Sequence, residues 1–197
     1  MTKLSKGGNI MRNVLKKLLS VVLLGVMVLS MAACAPKGVR SITPDQFKKA
    51  IKNARVMAKD NDFMNFNDLD GSDLQCVVFG NDVRFREGSY YNSVEAYLWT
   101  TGSDSDAKAM FDEVYGNYVE SGAFDGKVTS DFTDTYCYFT LDGTVDDSLI
   151  NGYCYGGWYW AGNTFAFFYT TENNDDHRGR IDSILDKIGF PGPGSET

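Results

Sequence analysis

Two aromatic segments separated by a two-residue turn constrain the fold of this 197-residue chain more than any other feature. Residues 152–161 read GYCYGGWYWA, residues 164–171 read TFAFFYTT, and Gly162-Asn163 lies between them. Aromatic residues and threonine favour strands, and a Gly-Asn pair favours the turns whose twist matches that of two hairpin strands. The sequence therefore predicts an antiparallel hairpin, with which further strands can pair.

Three helices are predicted from capping signals and apolar spacing. Thr43-Pro44-Asp45-Gln46 offers an N-cap, a proline in the first turn and a capping-box glutamine, so a helix begins at this point. A second helix is predicted over residues 103–121 and a third over about 176–188. Gly122 and Gly189 end them. The third helix is expected to bury Ile181, Ile184, Leu185 and Ile188.

The remaining strands are predicted at residues 74–80, 83–86, 93–101, 127–131 and 135–141. The segment 83–86 is expected to pair with 74–80 across Asn81-Asp82. Residues 60–73 are polar and rich in Asn, Asp and Gly, so they are predicted as a loop. The fold class is α+β, with a largely antiparallel sheet and helices packed on one face.

The chain contains an internal similarity at a spacing of 70 residues. Moving residues 93–119 onto residues 163–189 superposes Ala96 on Ala166 and Asp112 on Asp182. Each segment is an aromatic strand, an Asp-rich cap and a helix. The fold is therefore predicted to contain two repeated strand-loop-helix units or, equally well, two similar units that arose separately.

Residues 1–33 have the composition of a secretory signal peptide. Arg12, Lys16 and Lys17 precede an apolar run over residues 18–31, and the small residues Ala32-Ala33 follow. The run has 14 residues. A membrane-spanning helix requires about 20, so a cleaved export signal is favoured over a permanent span.

The residues Met31-Ala32-Ala33-Cys34 resemble the lipobox of bacterial lipoproteins, with Met31 in place of the usual leucine. The resemblance covers the export segment only. It implies that Cys34 becomes the mature N-terminus, carries acyl chains such as palmitate, and holds the protein at the extracytoplasmic face of the cell membrane. Two acyl chains are enough for stable anchoring. The alternative is an ordinary cysteine beside a cleavage site.

The export signal divides the chain into four parts. Residues 1–33 are the signal peptide, 34–42 are the lipidated Cys34 and a tether, 43–190 are the α+β globular domain, and 191–197 are a tail. The whole resembles the small, uncharacterised lipoproteins of Gram-positive bacteria. That resemblance implies location and architecture and no particular activity.

The mature body is acidic. Residues 1–33 contain five basic residues and no acidic one, which leaves 14 Lys and Arg against 26 Asp and Glu, a net charge of −12, in residues 34–197. Nucleic-acid binding requires basic side chains that neutralise phosphates. An acidic body without a basic patch therefore argues against nucleic acid, and no nucleic-acid partner is predicted.

Residues that commonly carry enzyme chemistry are sparse. His177, the single histidine, is predicted to be a solvated residue of a capping turn. Three cysteines remain after lipidation of Cys34: Cys76, Cys137 and Cys154. They are predicted to be buried thiols, and a disulfide between Cys137 and Cys154 is the alternative. The acidic loop 68–73 does not follow the order of a calcium-binding hand. We therefore predict no catalytic residue, no metal site and no cofactor.

Aromatic residues are unusually frequent in the predicted strands. Because successive side chains of a strand point to opposite faces of the sheet, which we call strand parity, several of these residues are predicted to share one face. If helices cover only the aliphatic face, the aromatic face is accessible to a sugar, a peptide or an apolar ligand. A sheet covered on both faces, with these rings as a second core, also explains this arrangement and is favoured, because the first helix and the 60–73 loop are available to cover that face. The candidate binding residues are Tyr97, Trp99, Trp158, Trp160, Phe167 and Tyr169.

These observations together predict a membrane-anchored binding or interaction module of the cell envelope. Its partners would be the membrane, through Cys34, and an envelope glycan, peptide or protein. An accessory subunit of a membrane complex is the alternative, and a hydrolase is a third possibility, with no motif to support it.

Overall fold

Nine strands and three α-helices are described in this computed structural model, which covers residues 38–54, 64–67, 73–79, 84–86, 89–91, 94–147 and 150–195. The helices are α1 (Pro44–Asn53), α2 (Asp104–Tyr115), which continues as a π-helical turn (Gly116–Glu120), and α3 (Asp175–Ile188). The strands are β1 (Met64–Asn67), β2 (Asp73–Phe79), β3 (Arg84–Arg86), β4 (Ser89–Tyr91), β5 (Val94–Thr100), β6 (Phe124–Phe132), β7 (Tyr136–Asp146), β8 (Asn151–Ala161) and β9 (Thr164–Thr170).

In the described residues, seven of these strands form one sheet in the order β1-β2-β5-β9-β8-β7-β6. Every neighbouring pair is antiparallel. β3 and β4 pair with each other in a separate two-stranded sheet. The predicted α+β class with a largely antiparallel sheet is therefore confirmed.

The hairpin predicted at Gly162-Asn163 lies at the centre of the sheet. β8 and β9 pair from Ala161 and Thr164 outward, and Gly162 adopts a φ of 56°, which a residue without a side chain accepts most readily. The side-chain amide of Asn163 donates to the Thr101 carbonyl at 3.1 Å. The turn is thereby attached to the end of β5.

Each α-helix begins at the residue type that the sequence indicates. Thr43, Ser103 and Asn174 each accept a hydrogen bond from the backbone N–H three residues later, and Gln46 completes the capping box of α1. At the other end of α3, Gly189 has a φ of 84°. The ends of these helices could be predicted from short stretches of sequence, because a cap involves only the residues of one helical turn.

Two strand predictions were wrong. Residues 60–73 were predicted as a loop, but β1 lies within them and pairs with β2. The 83–86 segment pairs with β4 rather than with β2, whose neighbours are β1 and β5. Strands of three or four residues are too short to establish a period, so their pairing depends on the edges that the rest of the sheet offers.

Helices cover both faces of the sheet, so the expectation of helices on one face only is corrected. α1 and α3 pack on the face that carries Val94, Ala96 and Leu98. α2 packs on the opposite face, over β8 and β9. We call this second face, which carries Glu95, Tyr97, Trp99, Phe165, Phe167 and Tyr169, the aromatic face. The buried residues of α3 include Ile181, Ile184, Leu185 and Ile188, as predicted.

The two similar strand-loop-helix units do not form a structural repeat. β5 and β9 are antiparallel neighbours in which Tyr97 is paired with Phe167, its counterpart 70 residues later. To superpose β5 on β9 with matching residues on the same face, one strand must be rotated by half a turn about an axis perpendicular to the sheet. Such a rotation leaves a helix on the face of the sheet where it started. α2 and α3 lie on opposite faces, so this rotation does not superpose them.

Candidate functional site

Two of the six predicted binding residues belong to the core. Trp158 is 2% exposed and Trp160 is 7% exposed, because α2 and its π-helical turn cover them. The Tyr118 ring meets Trp158 edge-on with centroids 5.7 Å apart, and the Trp160 indole donates to the Asp104 carbonyl at 3.3 Å. Their assignment as binding residues is therefore corrected: they stabilise the fold.

The other four predicted binding residues are half-buried and lie on β5 and β9. The paired rings of Tyr97 and Phe167 stack with centroids 4.5 Å apart, and Phe167 and Tyr169 stack at 6.2 Å. Trp99 is paired with Phe165 at the end of the same strands. We call this set of Tyr97, Trp99, Phe167 and Tyr169 the aromatic platform.

A buried carboxylate lies beside the aromatic platform. Glu95 is 8% exposed, and its Oε2 atom accepts hydrogen bonds from the hydroxyl of Tyr97 at 2.6 Å and from the hydroxyl of Tyr169 at 2.7 Å. Hydrogen bonds to an ionised carboxylate are shorter and stronger than neutral ones. The two tyrosines thus hold the only acidic side chain of β5 in one position.

Sequence reasoning placed Glu95 on the aromatic face but assigned it no role. A signal was available, because an acidic residue between Val94 and Ala96 interrupts an otherwise apolar and aromatic strand. Acidic residues are rarely buried unless they are paired. The two tyrosine partners could not be identified without the register that aligns β5 with β9.

The environment of Glu95 keeps its neighbours protonated. Burial, and then the nearby carboxylate of Glu95, raise the pKa of Tyr169 well above its ordinary value. Burial and the same carboxylate also raise the pKa of the Cys154 thiol. Tyr169 therefore remains a hydrogen-bond donor at neutral pH, and Cys154 is not a reactive thiolate.

A glycine opposite Tyr169 makes room for this arrangement. Gly156 is paired with Tyr169, and a Cβ atom at this position would lie 2.6 Å from both the Cα and the Cβ of Tyr169. Beyond the glycine, the ring of Trp158 lies almost parallel to that of Tyr169 with centroids 6.0 Å apart. A side chain at position 156 would displace the tyrosine that holds Glu95.

Other chemistry-bearing residues lie elsewhere. His177 is 6% exposed, so the prediction of a solvated histidine was wrong, although its Nδ1 lies 2.8 Å from the capping Asn174 Oδ1. Cys137 and Cys154 are free and buried. Their strand partners are Trp160 and Gly143, six positions apart along the β7–β8 ladder, so a disulfide between them is impossible. Within the described ranges, no three His, Cys, Asp or Glu side chains are grouped to hold a metal ion.

A basic cavity of about 230 Å³ lies between α1 and the C-terminal end of α3. Arg40, Lys49 and Lys187 contribute the positive charges, and Gln46 and Asn53 are polar lining residues. No basic patch is evident in the charge summed over the whole mature chain, which is strongly negative. A shorter window would have revealed it: residues 34–59 contain seven Lys and Arg and a single acidic residue.

Three sequence predictions fall outside the described residues: the signal peptide with Cys34, most of the acidic loop 68–73, and the side chain of Cys76. They stay predictions. In the part of the chain that the structure describes, no helix combines the length and the apolar character needed to cross a bilayer.

Comparison with known proteins adds little. No protein-family model matches the chain, and no curated protein is significantly similar to it. A solved structure described as a GTP binding regulator from Thermotoga maritima is similar over 72% of this chain and 83% of its own, with 11% sequence identity and a TM-score of 0.37. A similarity at this level supports no inference about function.

Proposed function

We propose that this protein is a lipoprotein, anchored through Cys34 at the extracytoplasmic face of the cell membrane, that binds an envelope glycan, peptide or protein through the aromatic platform and Glu95. The observation that carries the binding role is the geometry of Glu95, whose Oε2 accepts from Tyr97 and Tyr169 at 2.6 and 2.7 Å among half-buried rings. The anchor is inferred from the lipobox sequence alone.

Packing alone does not explain a carboxylate at position 95. Burying a charge is costly unless it is paired, and an apolar residue would fill the same strand position without that cost. The opposite face of β5 shows this solution, since Val94, Ala96 and Leu98 are fully buried. A buried carboxylate that accepts two hydrogen bonds beside half-buried rings is typical of a binding site.

The chemistry of the site favours a neutral or cationic ligand. Ring faces carry negative electrostatic potential and attract cations, and they also pack against the apolar faces of sugars. The carboxylate of Glu95 adds negative charge, as does the acidic body. Phosphate-rich ligands are correspondingly disfavoured at this site.

Membrane fractionation tests the anchor. In the full chain, Cys34→Ser is expected to move the protein from the membrane fraction to the medium or to leave an uncleaved precursor. Mass spectrometry of the mature N-terminus should find acyl chains on residue 34. An unmodified residue 34 in a mature, membrane-bound protein would overturn the anchor.

Ligand titration tests the aromatic platform. Neutral oligosaccharides and lysine-containing peptides would be titrated into the full chain, with binding followed by tryptophan fluorescence and by calorimetry. Trp99→Ala should weaken binding at least about tenfold, as loss of a central aromatic contact does. The matched control is Phe132→Ala, which removes an aromatic ring that is 45% exposed on β6, outside the platform.

The control should bind as the parent does. Equal binding by both variants and the parent would show that the ligand contacts another surface. Loss of several kcal/mol of folding stability in Trp99→Ala would instead show that the platform belongs to the core.

A further inference from the structure

The positive charge of the mature chain is concentrated next to the anchor. Residues 34–59 have a net charge of +6, whereas residues 60–197 have 7 Lys and Arg against 25 Asp and Glu, a net charge of −18. Solubility requires no such separation, because the acidic body already carries a large net charge. The segment that follows Cys34 therefore has the opposite sign from the rest of the domain.

In the fold, two basic residues of this segment and one from α3 lie on the same surface. Arg40, Lys49 and Lys187, from the entry segment, α1 and α3, line the cavity described above, and all three side chains are exposed. The described residues include no carboxylate within ion-pair distance of Lys49 or Lys187. We call these three residues the basic face.

Backbone contacts hold the entry of the chain beside the basic face. The N–H of Gly38 donates to the Gly189 carbonyl at 3.1 Å, and the Arg40 guanidinium donates to the Ile188 carbonyl at 2.6 Å. At the far end of α1, the Ser183 hydroxyl donates to the Ala54 carbonyl at 3.2 Å. The basic face is therefore built by the entry segment and both helices together.

Covalent geometry limits how far this surface can be from a lipidated Cys34. Three residues lie between Cys34 and Gly38, and the four Cα–Cα steps from one to the other span at most about 14 Å. The headgroup layer of one leaflet is itself about 5–8 Å thick. A protein anchored at Cys34 thus holds Gly38, and the cavity next to it, within reach of the headgroups.

We propose that the basic face lies on the membrane and binds the phosphate groups of anionic phospholipids, an inference that rests on the anchor in the proposed function. Basic residues next to a lipid anchor are attracted by anionic headgroups over about one Debye length. The basic face lies on the side of the sheet that α1 and α3 cover, and the aromatic platform lies on the other side. Binding in this way turns the platform away from the membrane, toward the envelope.

Amine labelling of the reconstituted, lipidated full chain tests this orientation. The protein would be placed in vesicles of phosphatidylcholine alone or of phosphatidylcholine with phosphatidylglycerol, and the acylation rate of each lysine would be measured by mass spectrometry. In anionic vesicles Lys49 and Lys187 should be labelled about fivefold more slowly than in neutral vesicles. Lys127, an exposed lysine on β6, is the internal control and should not change. High salt should remove the protection.

Single substitutions sharpen the test. Lys49→Gln should reduce the protection of Lys187 in anionic vesicles, and Lys187→Gln should do the same for Lys49. The matched variant Lys127→Gln should leave both unchanged. These side chains are at the surface, so folding is not at risk, and thermal unfolding would verify it.

Three outcomes would overturn the proposal or what it rests on. Equal labelling in neutral and anionic vesicles would overturn the basic face as a membrane contact. Protection by inorganic phosphate in neutral vesicles, equal to that by anionic lipid, would assign the cavity to a free anion instead. Vesicle retention that is unaffected by Cys34→Ser would overturn the anchor and hence the proposed function, and this readout does not depend on the labelling.

Discussion

The aromatic face of the sheet has two regions with similar residues and different environments. Trp158 and Trp160 on β8 are covered by α2 and are almost completely buried, whereas Tyr97 and Trp99 on β5 are half-buried. Both regions consist of large rings at alternate positions. The difference shows that aromatic composition does not distinguish core from binding surface, because coverage depends on where a single helix packs.

The regions also differ in their polar groups. Under α2, the ring contacts are mainly apolar, as where Phe111 meets Phe139 and Phe165 edge-on at 5.5 and 6.3 Å. On β5 and β9, the rings surround a carboxylate that two hydroxyls bind. We therefore expect substitutions to affect mainly stability in the first region and mainly binding in the second.

The largest expected effect is that of Trp158→Ala. This variant removes a buried indole that stacks on Phe139 with centroids 5.0 Å apart, and it leaves a cavity under α2. The free energy of unfolding should fall by about 3–5 kcal/mol, measured by denaturant unfolding. A loss below about 1 kcal/mol would mean that the region under α2 is not a core.

Gly156→Ala should disturb the boundary between the two regions. The added methyl group would overlap Tyr169, whose Cα lies 2.6 Å from the ideal Cβ position. We expect a loss of about 1–3 kcal/mol in the free energy of unfolding, together with weaker ligand binding. Gly179→Ala is a control, since nothing lies within 4 Å of a Cβ at that position. Unchanged binding by Gly156→Ala would separate Tyr169 from the site.

Tyr169→Phe should weaken the Glu95 network without removing a ring. Loss of one donor to a buried carboxylate is expected to cost about 1–2 kcal/mol. Because Tyr97 binds the same Oε2 atom, the effects of Tyr97→Phe and Tyr169→Phe should be non-additive in a double-mutant cycle. Additive effects would mean that the two hydroxyls do not share an acceptor.

Alkaline pH offers a second measurement on Tyr169. The pKa of Tyr169 in the folded protein is raised above the ordinary value of 10. The protonated hydroxyl therefore contributes to the stability of the fold, and this contribution is fully present below pH 10. It is lost as the pH rises further, because the unfolded chain releases the proton first. For one such group the slope approaches about 1.4 kcal/mol per pH unit. Tyr169→Phe should flatten the stability curve above pH 10 by that amount, and an unchanged curve would contradict the burial of this hydroxyl.

Trp99→Ala should cost less stability than Trp158→Ala. Trp99 is half-buried at the end of β5, where it packs against the edge of the core, so the free energy of unfolding should fall by about 1–2 kcal/mol. The same variant is expected to have the largest effect on ligand binding. A stability loss comparable to that of Trp158→Ala would remove the difference between the two regions.

Much of the fold could be predicted from short stretches of sequence. The hairpin at Gly162-Asn163, the capping box at Thr43 and the stop at Gly189 are each specified within a few residues, and the structure confirms them. The edge strand β1 was missed because its four residues, MNFN, alternate over a stretch too short to be recognised within the polar segment 60–73. The burial of His177 was missed because a capping position does not show what packs on it.

The candidate site was predicted only in part, for a reason of topology. Strand parity correctly placed Glu95, Tyr97, Trp99, Phe167 and Tyr169 on one face, but it also grouped Trp158 and Trp160 with them. The alternation of side chains along a strand shows which face a residue lies on, but not whether a helix covers that face. The basic face was missed for a related reason, since its charges come from the entry segment, α1 and α3, which are distant in sequence.

The sequence by itself determined the elements of this protein: where its helices begin and end, which strands form the hairpin, and which residues share a face of a strand. These are local choices, made by side-chain sterics and by hydrogen bonds within one turn. Only the tertiary structure decided that α2 lies over β8 and β9 and leaves the rings of β5 half-buried, and that Tyr97 and Tyr169 meet at Glu95. The position of α2 depends on the direction that the chain takes after β5, and the Glu95 contacts depend on the pairing of β5 with β9, about 70 residues away. Such contacts between distant segments are not specified by local sequence preferences.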